Sequence, residues 1–522
     1  MRSTFHTLEI GKRGIVAQQL SIATTGHNIT NANTPGYSRQ VARLVAARPI
    51  DYPGIHNNSK LPNQMGMGVE VESITRIRDY LMDIEYRNQN TVQSTWKVQQ
   101  ETLGNIEGIF NEPSENSLAT SISEFWNSWQ LLSKNPGNSD LSSRTVVQQK
   151  AIALTETFGH ISSQLKVLDS NLTERINVKI SEGNNYVGQI SELTQMIKRI
   201  EGLGDNANDL RDKRDLLVDQ LSGLGNVQVF ETDTDYQVTF GGTMVVDNMD
   251  STNITLGDVG ALTNGEIKGY IDSRDVHVAN YRQQLNVIAN TIANGPVEVT
   301  LPAGTILPPG VSIPNAVVDP ANSRKLLNDT KYTVNGLNGL HKLGYNLQEP
   351  AQSGLDFFVA SDGSGTITAE NIRINQVIKD DVKNIGASMR TESKTLPNGT
   401  TTEVALQGNG DMALLIASLN EKVYSFTQPG SITNSATIGG YLQSVVANLG
   451  TDADHATKML ENSTLLTSHA DNLRQSVSSV SLDEEMSNLI KFQQSYSASA
   501  RIVTTIDEML DKLINGTGVV GR

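Results

Sequence analysis

The chain has 522 residues, enough for two to four domains with cores of their own, and carries a formal net charge of −15. That charge supplies no basic stripe for nucleic acid and disfavours anionic membrane surfaces, so neither is expected as a partner. Cysteine is absent, which excludes disulfides, thiolate zinc sites and a cysteine nucleophile, and only 5% of residues are aromatic.

Near the N-terminus, Arg2, Glu9, Lys12 and Arg13 prevent an apolar signal core, so no general secretion signal is expected. The longest apolar run, "MALLIASL" from Met412, is too short to span a bilayer, and no membrane insertion is expected. Leu8, Ile15, Ile22 and Ile29 fall at a spacing of seven, and Phe5, Leu20 and Ala23 broaden the stripe into one apolar helix face. "NITNANTPGYSRQ" follows. Asn28, Asn31 and Asn33 tolerate the turn conformations that end a helix. Pro35 forbids its continuation, and Gly36 permits a tight reversal before Tyr37 and Arg39.

Leu118, Ile122, Phe125, Trp129 and Leu132 alternate by four and three until "KNPGN" ends the helix. Val147, Ala151, Leu154, Phe158, Ile161, Leu165, Leu168 and Leu172 continue the pattern, which slips at Arg175 and resumes from Ile176 to Ile197. As one helix over residues 141–200 this would be about 90 Å long, with Gly183 and Gly188 as candidate breaks. "NANDLRDKRDLLVDQLSGLGN" reads as another helix, capped by Asn206 or Asn208 and stopped by Gly223 or Gly225.

The period then changes to two. Val227, Val229, Tyr236, Val238 and Phe240, with Gly241-Gly242 as a turn, predict a small β insertion over residues 226–264. Helix returns and is broken by residues 295–330, whose six prolines predict a surface excursion outside the core. Helix is expected again in "YTVNGLNGLHKLGYNL", strands and turns over residues 354–405, and helices near Asp411 and over residues 438–477. The last helix carries Leu482, Leu489, Tyr496, Val503 and Leu510 at a spacing of seven, with Met486, Ala500 and Ile514 as complement and Gln493 and Asp507 interrupting it. The expected fold is therefore mainly α with inserted β, multi-domain, with long coiled-coil-like helices from both chain ends.

Chemistry is sparse. Neither a zinc-binding H-E-x-x-H, a P-loop, a G-x-G-x-x-G nor a G-x-S-x-G occurs. "DGSGTITAE" at Asp362 fails as a calcium loop, because Ile367 stands where the glycine belongs and Arg373 where the glutamate belongs. Asp483, Glu484 and Glu485 sit where acidic groups favour a helix N-terminus. No catalytic, cofactor or metal residue is assigned, and the chain is not expected to be an enzyme.

"GHNITNANTPGYSRQ" resembles the N-terminal signature of the bacterial flagellar axial proteins of rod, hook and hook-associated type. "SLDEEMSNLIKFQQSYSASARIVTTIDEMLDKLI" is similar to their C-terminal one. "ISEFWNSWQLLSKNP", "ANDLRDKRDLLVDQLS" and "LNGLHKLGYNL" resemble the interior of the hook-associated member at the hook–filament junction. Residues 295–330 depart from that pattern, and Ser499 stands where rod and hook proteins often carry asparagine.

The resemblance implies an inner domain of paired terminal helices lining a central channel (residues 1–85 with 478–522). A helical core domain (86–225 with 265–477) and an outward β-rich portion (226–264) would follow. It implies a structural ring between hook and filament that self-assembles through Leu8, Ile15, Ile22, Ile29, Leu482, Leu489, Tyr496, Val503 and Leu510. Asn31, Asn33, Pro35, Gly36, Tyr37 and Arg39 form its corner, with Tyr37 and Arg39 as candidate contacts to neighbouring subunits. The implied partners are copies of the chain, the hook protein, adjacent hook-associated or filament proteins, and an export chaperone on the C-terminal helix. Export would run through the flagellar type III route to an extracellular flagellum. The alternatives are another axial component of hook or rod, or a secreted adhesin or hydrolase.

Overall fold

The computed structural model describes residues 5–51, 64–111, 117–137, 140–232, 235–395, 401–426 and 430–516. Helices dominate: α1 (Phe5–Asn31), α2 (Tyr80–Phe110), α3 (Leu118–Lys134), α4 (Ser142–Glu201), α5 (Asn208–Leu224) and α6 (Glu266–Asp272) come first. They are followed by α7 (Ala279–Asn294), α8 (Gly336–Leu343), α9 (Gln376–Asp380), α10 (Asp411–Ala417), α11 (Ile438–Ser478) and α12 (Leu482–Gly516). The chain divides into two compact units. One holds Met1–Trp96, Asn177–Gly269 and Met459–Arg522, and the other Lys97–Ile176 and Tyr270–Lys458. These borders do not coincide with the expected ones. The residues after 86 up to 96, together with 177–269 and 459–477, cluster with the chain ends, because α5 and the small sheet pack there.

In the first unit, α1 and α12 lie antiparallel, Gly11 facing Val503 and Gly14 facing Ser499. Strands β1 (Gln40–Ala46) and β2 (Val69–Arg76) pair antiparallel, from Gln40 opposite Arg76 to Ala46 opposite Val69. Strands β3 (Val227–Glu231), β4 (Tyr236–Phe240), β5 (Thr243–Asp247) and β6 (Asp250–Ser251) form an antiparallel meander in sequence order. They lie where the alternation predicts them: Val229, Tyr236, Val238 and Phe240 are buried, and Gly241-Gly242 makes the turn at positive φ. The 60 residues of α4 are helical without interruption. Gly183 does not break the helix. A Cβ there would come within 3.1 Å of Ile254, so the glycine admits a close neighbour. Gly225 stops α5 as expected, but the expected asparagine N-cap is absent: Ala207 holds that position, and Asn206 and Asn208 donate instead to the Ile74 carbonyl at 3.1 and 2.8 Å.

The second unit is built on α3 and the first half of α4. Ser117 caps α3 by accepting from the Thr120 N–H at 3.2 Å, and Leu118, Ile122, Phe125, Trp129 and Leu132 are all buried. Phe125, Trp129, His341, Phe357 and Phe358 form one aromatic cluster, with Trp129 and Phe357 centroids 5.3 Å apart. Residues 295–330 are not a surface excursion. Strand β7 (Pro296–Leu301) pairs with β8 (Thr330–Asn335), and Val297, Val299, Leu301, Leu307, Ile313 and Leu326 are buried. The prolines sit at strand starts and in turns, while the V-x-V-x-L between them alternates like any half-buried strand. For the same reason Tyr332 to Val334, expected as helix, are strand, and α8 begins only at Gly336.

Candidate functional site

The corner after α1 is built around Asn28. Its buried side chain accepts from the Tyr37 hydroxyl (2.8 Å) and the Gln40 N–H (3.0 Å). Its amide donates to the Gln40 carbonyl (2.8 Å) and to Glu485 Oε2 (2.9 Å). Around it, Thr34 N–H closes on the Asn31 carbonyl at 2.9 Å and Asn31 donates back to the His27 carbonyl at 3.0 Å. Asn33 and Pro35 are exposed. Gly36 has φ +78, and a Cβ there would lie 3.0 Å from Leu216, so both conformation and space require glycine.

Arg39 and Tyr37 are half-buried and bonded within the chain. Arg39 donates its backbone N–H to the Ser478 carbonyl (2.9 Å) and Nε to Glu485 Oε1 (2.8 Å), and Nη1 lies 3.3 Å from Glu484. Tyr37 bonds Asn28 and lies 3.0 Å from His27 Nδ1. Burial, reinforced by Asp209, Asp212 and Glu485, pushes its phenol far above the ordinary range, so it stays a hydrogen-bond donor. Glu485, which reads in sequence only as an acid favouring the helix N-terminus, is 2% exposed.

Behind the corner stands a charged hub. Asp209, Asp212, Asp215 and Asp219 fall three or four apart on α5 and so share one face. Asp209 accepts from the Gln40 amide (2.7 Å) and Asp212 from the Ser38 N–H (2.8 Å). Arg76 bridges Asp212 (2.8 Å) and Asp215 (2.7 Å), while Arg87 and Arg474 meet Asp219 at 2.7 and 2.6 Å. Arg78 binds Asp83 at 2.6 Å and lies 3.4 Å from Asp215. Burial alone would raise the Asp215 pKa. Arg78, Arg76, Arg87 and Arg214 overcome it and hold the carboxyl far below the usual range. Sequence reading missed this hub, although the aspartate spacing in "NDLRDKRDLLVD" was its signal. Such a face is ordinarily solvated, and only the arginines from β2, α2 and α11 show that it is covered.

The helix pair departs from the expected stripe. In α1 the buried residues are Gly11, Gly14, Ala17, Ser21, Thr24, Thr25 and Asn28. Leu8, Ile15, Ile22 and Ile29 are half-buried beside that seam, and Phe5 (63% exposed) and Leu20 (40%) lie outside it with Ala23. A Cβ on Gly14 would come within 2.7 Å of Ser499 Oγ, so the backbones meet closely. In α12, Leu489, Tyr496, Val503 and Leu510 are half-buried and Leu482 is exposed. Their complement is Glu485, Phe492, Ser499 and Ile506; of the expected Met486, Ala500 and Ile514, only Ala500 is half-buried. Met486 is 56% and Ile514 72% exposed, and Gln493 and Asp507 are exposed beside them. No helix among the described residues is long and apolar enough to cross a membrane. Among those residues no group of three or more histidines or acids could hold a metal ion.

Residues 103–296 match the model of the flagellar hook-associated protein FlgK helical domain. Residues 474–516 match that of the flagellar basal body rod FlgEFG protein C-terminal region. Flagellar hook-associated protein 1 of Bacillus subtilis (strain 168) is 32% identical over 545 residues, covering 100% of both chains. The proteins of that name from Escherichia coli (strain K12) and Salmonella typhimurium are 25% and 24% identical, each over 96% of this chain and 98% of theirs. The flagellar hook junction protein FlgK from Burkholderia pseudomallei aligns with a TM-score of 0.49 at 13% identity, over 76% of this chain and 100% of that one. The chain belongs to the flagellar hook-associated protein 1 family.

Proposed function

We infer that the chain is a structural component of the bacterial flagellum, placed at the junction between hook and filament. Full-length identity of 32% to a flagellar hook-associated protein 1 carries this reading. The α1–α12 pair supports a mechanism for it. Its seam is closed by small residues, while Val16, Leu20, Met486, Ile490, Ile502 and Met509 stay exposed along the two helices. Exposed apolar residues on paired terminal helices fit contact with neighbouring copies in a ring, and with the hook, hook-associated and filament proteins next to it. Leu8, Ile15, Ile22, Ile29, Leu489, Tyr496, Val503 and Leu510 then work as half-covered residues that a neighbour completes. Asn31, Asn33, Pro35 and Gly36 set where α1 stops, while Tyr37 and Arg39 fix the corner from within.

The same exposed face of α12 suits an export chaperone before assembly, and export to the outside of the cell completes the reading. The chain's work is structural, with no catalytic step assigned. Labelled antibody on isolated flagella should mark the hook–filament boundary, and deletion of the gene should leave hooks without filaments. Label along the hook or in the rod, or loss of hooks on deletion, would overturn the junction reading.

A further inference from the structure

Helices α11 and α12 are separated only by Ser479, Val480 and Ser481, none of which breaks a helix as glycine or proline does. In an uninterrupted helix the Leu482 N–H would donate to the Ser478 carbonyl. Here that carbonyl accepts from Arg39 at 2.9 Å. The last helical bond of α11 runs from Ser479 N–H to the Gln475 carbonyl (2.9 Å), and α12 begins with Glu485 N–H on the Ser481 carbonyl (3.0 Å). Ser481 and Glu484 stand at the spacing of a capping box, which favours a fresh helix start. Against it stand the backbone bonds that the amides of residues 480–484 would make in a continuous helix.

The groups that tip this balance come from the other end of the chain. Arg39 takes the Ser478 carbonyl and pairs with Glu485 and Glu484, and Asn28 holds the second oxygen of Glu485. The segment also has room to rearrange. A cavity of about 250 Å³ is lined by Pro35 and Tyr37 of the corner and by Gln475, Ser478, Ser479 and Val480. Leu482 and Met486, just beyond, are exposed, so no core packing holds them.

We propose that the α11–α12 break is a two-state joint, kept open by the docked corner and closing into one continuous helix when Arg39 withdraws. The C-terminal helix thereby registers whether α1 and its corner are in place. Its use during assembly rests on the function proposed above. The joint itself is tested in the free chain, so absence of polymer formation would count against that function and leave the joint unaffected.

The test is hydrogen exchange, read by mass spectrometry, on the full-length chain. Amides 480–482 should exchange at least about tenfold faster than those inside α11, and Arg39→Pro, which lacks both the N–H on the Ser478 carbonyl and the guanidinium, should slow them about tenfold. Adding Leu482→Pro should return Val480 and Ser481 to fast exchange. Proline is tolerated at the first position of a helix but cannot donate to Ser478. The joint is overturned if amides 480–482 are already slow in the parent. It is equally overturned if they stay fast in Arg39→Pro while α12 remains protected, or if α12 loses protection altogether.

Discussion

The aromatic core of the second unit and the paired chain ends of the first answer the same problem, burying a helix face, in opposite ways. Around Trp129 the solution is volume: Phe125, Phe357, Phe358 and His341 fill the space, and the side chains of Trp129 and Phe357 are fully buried. Along α1 it is proximity. Glycine, alanine and serine let the backbones approach, and polar groups at Asn28 and Glu485 fix the register. Charge follows the same division. Arg144 in the second unit donates to the carbonyls of Ile385 and Pro136, and burial pushes its guanidinium down to about 10. The arginines of the first unit's hub each meet carboxylates. A volume-filled core tolerates little change anywhere, whereas a proximity seam is sensitive at a few points and indifferent elsewhere.

Trp129→Ala should break the comparison on the first side most strongly. Emptying that site is expected to cost about 3–5 kcal/mol, read as loss of exchange protection throughout α3 and α8. Acid should separate the two regions. His341 donates from Nδ1 to the Leu355 carbonyl at 2.8 Å and accepts the Gly386 N–H at 2.9 Å, so it is held neutral. Burial, aided by the charge of Arg144, pushes it down to about 4, against the pull of Leu355. Its contribution, at most about 3 kcal/mol, is whole above pH ~6.5 and declines as pH falls toward 4, because the unfolded chain binds the proton first. Asp215 is depressed instead, so its contribution persists to about pH 4 and is lost only below that. Protection measured against pH should fall first in the second unit, and His341→Gln should remove that first step.

Arg39→Ala and Gly14→Leu act on the seam. The first leaves Glu485 buried with one partner fewer, and the second drives a side chain into Ser499. Each is expected to cost about 1–3 kcal/mol, confined to the terminal helices; Gly14→Leu shows it as trimming of both ends under limited proteolysis, whereas Arg39→Ala keeps α12 protected. Met486→Ser with Ile514→Ser should shift monomer stability by under about 0.5 kcal/mol, since both side chains are exposed. The same pair should weaken polymer formation. Unchanged assembly would show that this face is not the contact.

Legibility in the sequence tracks the same contrast. Volume-filled elements announce themselves: the four-three series of α3 and the alternation at Val227 to Phe240 lie where periodicity places them. Proximity does not. The isoleucine row of α1 marks a stripe, but hydrophobicity carries no sign that Gly11 and Gly14 are the contact and the isoleucines its margin. One step of phase on α12 exchanged Met486 and Ile514 for Phe492, Ser499 and Ile506. The corner was legible as a stop, through Pro35 and Gly36. Its partner was not, since nothing local pairs Arg39 with an acid beyond residue 480. The strands at Pro296 and Thr330 were hidden because proline count reports turns and says nothing of the alternation between them.

The glycine seam of α1 has a consequence in time. A helix of 27 residues with three glycines is marginal alone, so α1 gains its order from α12. Ribosomes deliver the N-terminal helix first and its partner last. With some 450 residues between them, at roughly 5–20 residues per second, the wait is roughly 20 to 90 seconds. For that interval the face of α1 that α12 covers stands open on every nascent chain, with only the strands of residues 40–76 there to pack on the helix.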